Sequence, residues 1–199
     1  MTILAALLTL AGTIIISMIL LLMWLITVAV SITSYILTGI SFSGVAKRRG
    51  LKCGWLAFVP LLNVWTLGSI SDNYQLTVKG KNRKFCHVLL WLMVATMIFS
   101  CIYGLVNALS TIISLTGIGA VIMLVLLLIT FCVASVVSLV YQVFYWIALH
   151  DYFQSCNPEK AGLYLILSIF VPFAFIVLAF KVRDLDLGMP SVENEAFAE

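Results

Sequence analysis

The sequence predicts an all-α polytopic membrane helix bundle, with three to four transmembrane helices and a proline-centred re-entrant or interfacial segment. Three observations carry this. The 199 residues are 63% hydrophobic and 10% charged, with a mean hydropathy of +1.18, whereas soluble domains carry about 25% charged residues. No charged side chain occurs from Met1 to Ala46, nor between Phe85 and Leu149, and apolar runs of about 20 residues are the element that crosses a bilayer. Eight of the eleven Lys and Arg crowd between Lys47 and Lys84, the kind of asymmetry that orients membrane proteins.

The first apolar block, Thr2–Ala46, would reach about 68 Å as one helix, against a hydrocarbon core of about 30 Å. Only Gly12 punctuates it. The expected arrangement is an interfacial or kinked segment near Ile3–Leu10 followed by one span over 14–42, with a two-span hairpin as the alternative. The N-terminus lacks the positive region and cleavage site of a secretory signal, so it is expected to be retained. Ser34, Thr38, Gly39 and Ser43 put small residues at helical spacing, which suits close helix packing better than a polar passage.

Further spans are expected over 85–109 and 118–150. The second is too long for the core alone and is expected to protrude through its aromatic end, Tyr141–Phe153. Asn157–Pro158 stops it, because proline disfavours helical geometry in the residue before it. The last apolar segment, 163–180, carries Pro172 near its middle and leads into a polar acidic tail, 184–199. Residues 1–183 are expected to form one membrane domain.

Placing positive charge inside puts the loop 47–84 in the cytoplasm of a cell whose membrane holds the chain. The segment 51–70 is then flanked by cytoplasmic charge on both sides and must return to the side it left. Trp55 and Trp65 each lie five positions from Pro60, so a bend there brings both indoles to headgroup depth. Pro60 lacks a backbone donor, and Asn63 offers a side chain to the groups it frees. The segment 163–180 repeats this loosely: Phe-Val-Pro recurs at 58–60 and 170–172, each after a Gly and a link containing a Cys and a Lys. A weak internal duplication and coincidence are equally good accounts, and a returning segment is favoured over a fourth span.

The pattern formed by Lys47, Arg48, Arg49, Gly50, Leu51, Lys52, Trp55, Leu56, Ala57, Pro60, Asn63, Leu67 and Gly68 resembles a motif of a family of uncharacterised small multi-pass membrane proteins of Gram-positive gut bacteria. Two further similarities lie in Ser155–Ala161 (SCNPEKA) and Asp186–Pro190 (DLGMP). The resemblance implies a membrane fold and carries no activity.

Catalytic motifs are missing from the sequence: it has no H-E-x-x-H, P-loop or G-x-S-x-G pattern. No Asp or Glu falls within the apolar runs, so no proton relay is expected. His150 and Asp151 sit at a span end, where anchoring at the interface is the favoured role. The five cysteines (Cys53, Cys86, Cys101, Cys132, Cys156) are odd in number and form no CxxC pair, so neither disulfides nor a zinc site is expected. No catalytic, metal or cofactor site is therefore expected, and no nucleic-acid partner.

What remains is contact with the bilayer. Lys47, Arg48, Arg49, Lys52, Trp55, Pro60, Asn63 and Trp65 are the candidates for touching anionic lipid headgroups or a partner at the cytoplasmic face. The leading expectation is a non-enzymatic scaffold or accessory subunit of a transport or envelope complex, partnered by another membrane protein or by copies of itself. The alternative is a small transporter of an uncharged or lipid-like solute, with Asn63, Asn107 and Gln142 as a polar path. An enzyme acting on lipid is the weakest reading.

Overall fold

The computed structural model describes residues 2–51, 54–114 and 120–190. In chain order it holds α1 (Thr2–Arg48), a short 3-10 helix (Gly54–Phe58), α2 (Leu62–Lys79), α3 (Phe85–Ser114), α4 (Ala120–Cys156), α5 (Ala161–Phe170) and α6 (Pro172–Val182). Among the described residues, three helical stretches are long and apolar enough to cross a membrane: Gly12–Arg48, Phe85–Ile113 and Val121–Cys156. The described chain is all-helical, as composition requires.

α1 is one uninterrupted helix, so neither the separate interfacial segment near Ile3–Leu10 nor the two-span hairpin is formed. Its mean composition offers no breaker strong enough; Gly12 alone lowers helix propensity by only about 1 kcal/mol. Met1–Leu37 and Thr38–Glu199 are separate compact units. Within the first, Ser17, Thr27, Ser31 and Thr33 donate to carbonyls three or four residues back on the same helix, at 2.8–2.9 Å. These hydroxyls satisfy themselves locally, as hydroxyls in apolar helices commonly do.

The second unit is ordered about the end of the molecule where the charges lie. α3 and α4 run antiparallel: Phe85 stacks on Phe144 at 5.4 Å and Tyr103 meets Phe131 at 6.0 Å. Both helices exceed the sequence-based bounds, α3 by five residues to Ser114 and α4 by six to Cys156. The extension of α4 is stabilised by burial, since Ala148, Leu149, Tyr152, Phe153 and Cys156 are all core residues.

α1 ends at Gly50, whose φ of 66° lets the N–H groups of Gly50 and Leu51 close on Lys47 and Ala46. Glycine adopts that conformation without steric cost. The chain then doubles back along α1. A Cβ on Gly54 would lie 3.3 Å from Lys47 Cγ, and one on Gly39 would lie 2.9 Å from Phe58 Cδ1. Between those levels the chain retreats about 12 Å along α1. It reverses at Val59–Leu62, where Leu62 N–H bonds Val59 O at 3.1 Å with Pro60 and Leu61 at the corners. α2 then climbs back to Lys79, nine residues past the expected end of the segment at 70.

The C-terminal apolar segment is a second hairpin. α5 spans ten residues and breaks at Val171, which is extended (φ −127°, ψ 93°), and Pro172 opens α6. Its far end returns to its start: Leu187 N–H bonds Cys156 O and Gly188 N–H bonds Ser155 O, both at 3.0 Å. The expected domain boundary at 183/184 is thereby corrected. Residues Asp184–Gly188 belong to the folded unit because they cap the orphan carbonyls at the end of α4. Residues 191–199 of the tail lie outside the described residues.

Both Phe-Val-Pro triplets occupy the same structural position, the reversal of a helical hairpin that follows a long helix. The hydrophobic core lies where the two hairpins meet the last turns of α1 and α4. Phe42, Val45, Ala46, Leu67, Ile70, Tyr152, Phe153, Ala179 and Val182 are each at most 1% exposed. Thr38, Ser41 and Ser43 are buried there too, beside the Gly39–Phe58 approach. The small-residue stretch of α1 thus serves packing.

Candidate functional site

The charged end of the second unit is built around two buried polar nodes. The first is Asp151, 3% exposed, on the second-last turn of α4. Ser71 Oγ donates to Asp151 Oδ2 at 2.7 Å, and Gln75 Nε2 donates to Oδ1 and Oδ2 at 2.9 and 3.0 Å. Ser71 and Gln75 are four apart on α2, one helical turn, and so present to one face. Tyr74 OH adds a bond to Gln154 Oε1 at 3.2 Å. Burial, and then the negative charge of Asp151, push the Tyr74 phenol above its ordinary value of 10.

The neighbouring Asp72 serves the other side of α2. Its two oxygens accept from the N–H groups of Phe85 and Cys86, each at 2.9 Å. The first turn of α3 follows basic residues and has no acidic side chain of its own, so this tertiary cap satisfies orphan donors and favours the positive end of the helix dipole. The close approach it requires is made possible by Gly68: a Cβ there would sit 2.5 Å from Cys86 Cα.

The second node is Arg49, whose side chain is only 4% exposed. Its Nε and Nη2 donate to Asp186 Oδ1 at 3.2 and 2.5 Å, and Nη2 also reaches Ser155 Oγ at 2.9 Å. Ser155 Oγ donates in turn to Tyr152 O at 2.7 Å, and Tyr152 OH to Ala179 O at 3.1 Å. Arg49 Nη1 is buried without a partner. From this node a ladder of charge runs outward. Arg48 stands 3.8 Å from both Asp186 and Asp184, and Arg183 Nε lies 3.2 Å from Asp184. Arg183 also covers the Phe180 ring at 4.0 Å.

The three stretches that carry the sequence resemblance therefore converge in space. Arg49 comes from the first, Ser155 and Cys156 from the second, and Asp186, Leu187 and Gly188 from the third.

The remaining candidates fall as follows. Arg49 is turned inward, which removes it from the headgroup contacts; a guanidinium so nearly buried needs its counter-charge, and Asp186 supplies it. Lys47, Arg48, Trp55 and Pro60 are exposed, Trp55 at 63%, while Trp65 is half-buried on α2. Lys52 and Cys53 lie outside the described residues. Asn63 is half-buried just past the Pro60 reversal, its Oδ1 enclosed without a partner. Asn107 is exposed on α3 and Gln142 half-buried on α4; among the described residues no hydrogen bond joins these three.

Asp151 is not an interfacial anchor but a buried acceptor, because α2 covers it with two donors. It and Asp72 are the only acidic residues before Glu159. That rarity in so apolar a chain was the available signal that each has a dedicated partner. The Ser155–Asp186 connection to Arg49 had none, being 106 and 137 positions away.

Chemically, both nodes are clasps. Ser71 and Asp151 are a hydroxyl on a carboxyl, but each is at most 3% exposed. Among the described residues no group of three His, Cys, Asp or Glu comes together to hold a metal. Comparison of the chain with family models, curated proteins and solved structures gives no match in any of the three.

Proposed function

We propose that the chain is a non-enzymatic, multi-pass protein of the cell membrane that acts as a scaffold or accessory subunit in a transport or envelope complex. One contrast carries the reading. The charged end is closed by buried clasps, yet the apolar windows of the three long helices are 0%, 6% and 6% buried. Folding effort is concentrated at one end, and the long apolar flanks are left to lipid and to the helices of partners, a second copy included.

In this reading the basic residues of 47–84 face the cytoplasm, and both hairpins enter the membrane from that side. The ten- and eleven-residue limbs of the second hairpin reach about 15 Å, half of the core, and come back. Purification in mild detergent with crosslinking is expected to yield a complex larger than one chain. A single-chain species under all such conditions, together with solute flux in liposomes, overturns the scaffold reading. A reporter fused after Glu199 is expected to be active only in the cytoplasm; activity outside overturns the returning second hairpin.

A transporter of an uncharged or lipid-like solute is the second reading. It is favoured by the unpartnered Asn63 Oδ1 beside a reversal at which Leu61 holds a φ of 74°. If alanine at Asn63, Asn107 or Gln142 alters flux in liposomes, this reading displaces the first.

A further inference from the structure

We propose that the slot between Arg48 and Arg183 is a binding site for the phosphate of an anionic phospholipid, and that Asp184 is its intramolecular occupant. The inference rests on reading the long helices as membrane spans and is independent of any scaffold role.

Arg48, Arg49 and Arg183 meet at the C-terminal ends of α1 and α6. They face two carboxylates, Asp184 and Asp186. Asp186 is committed to the buried Arg49. Arg48 stands 3.8 Å from Asp186 as well, and Asp184 is the counter-charge that it shares with Arg183, at 3.8 and 3.2 Å. Its own side chain is 71% exposed, so water competes for it. An exposed carboxylate bridging two partly covered guanidinia is a weak occupant, whereas a phosphate matches the guanidinium fork with several oxygens.

The surroundings select a lipid over a free anion. Both arginines sit where an apolar helix meets charge. Arg183 lies over the half-exposed Phe180, and the stem of Lys47 packs against Gly54, the residue before the exposed Trp55. Aromatic rings and long cationic stems are side chains that settle at headgroup depth. A phosphate at that level, with its acyl chains along α1 and α6, displaces Asp184 toward water without disturbing the Arg49–Asp186 clasp beneath.

The test uses the full chain in neutral detergent, with bound lipid counted by native mass spectrometry. Phosphatidylglycerol is expected to be retained about tenfold over phosphatidylcholine, and Asp184→Asn to tighten phosphatidylglycerol about fivefold. Arg48→Gln with Arg183→Gln is expected to erase the preference, while Lys79→Gln with Lys81→Gln leaves it unchanged. Equal retention of the two lipids, no gain in Asp184→Asn, or equal loss in the Lys79/Lys81 pair would overturn the site. The gain in Asp184→Asn is a result that misfolding cannot imitate. Inorganic phosphate forms a separate arm: if millimolar phosphate strips the lipid, the site is one for free anions and the lipid assignment falls.

Discussion

The two proline-broken hairpins share a plan and differ in what holds them. The first, from Gly54 to Lys79, is fixed by side chains of α2: Ser71 and Gln75 to Asp151, Asp72 to the start of α3, and Gly68 against Cys86. The second, from Ala161 to Val182, is apolar but for Ser168 and Lys181. Beyond the Tyr152 bond to Ala179, its polar fastening comes after its last helix, from the backbone of Leu187 and Gly188 and from the Asp186–Arg49 pair. One hairpin is anchored by buried neutral donors on an acid, the other by main-chain caps and ionic contacts that reach the surface. Salt screens exposed charges and largely spares buried ones, so the two anchors are expected to fail under different conditions.

The largest effect is expected from Asp151→Ala. It strands Ser71 and Gln75 as buried donors, at about 1–3 kcal/mol each, and thermal unfolding in detergent should show a loss of about 2–5 kcal/mol that is insensitive to salt. Asp186→Asn should cost about 2–4 kcal/mol by depriving buried Arg49 of its counter-charge. Limited proteolysis is expected to open the second hairpin in that variant and leave α2 protected; cleavage in α2 first would undo the assignment of anchors. Gly68→Ala forces α2 from α3 and should cost about 1–3 kcal/mol. If it costs nothing, the Gly68–Cys86 approach is not what sets the first hairpin.

Smaller changes sharpen the comparison. Leu61 occupies the left-handed region, which costs a non-glycine residue about 1–2 kcal/mol. Leu61→Gly removes that and adds back about 0.5–1 kcal/mol of chain entropy, so a net gain below about 1 kcal/mol is expected, with the corresponding rise in melting temperature. Tyr74 gives the smallest and most specific test. Its folded phenol is raised above 10 by burial and then by Asp151. The neutral form is therefore favoured by folding, and its contribution is whole below pH 10 and lost as pH climbs through the raised value. Tyr74→Phe should show a shallower alkaline decline than the parent; parallel declines would mean that folding does not raise the Tyr74 phenol.

Legibility in the sequence followed the range of the forces involved. The Pro60 reversal was readable because proline acts on its own turn and the flanking charges constrain the path. The role of Gly50 and the end of α1 are equally local. Asp151 was visible as a rare acid but not as a buried acceptor, since its donors lie on α2, 76 and 80 positions away. Arg49 shows the same limit from the other side. Among three adjacent cations, nothing local distinguishes the one that turns inward from those that stay out.

By itself, the sequence determined the solvent and the elements. Sixty-three per cent apolar residues with two uncharged, continuous runs favour helices, which satisfy their own backbones in lipid, over barrel strands, which alternate, and the prolines determined where two segments break. Tertiary structure alone decided that Asp72 caps a helix it does not belong to, that α2 covers Asp151, and that Arg49, Ser155 and Asp186 meet. The reason is that apolar transfer and backbone satisfaction act residue by residue along the chain. A buried ion pair is stable only when packing has already brought its partners together and excluded water from them.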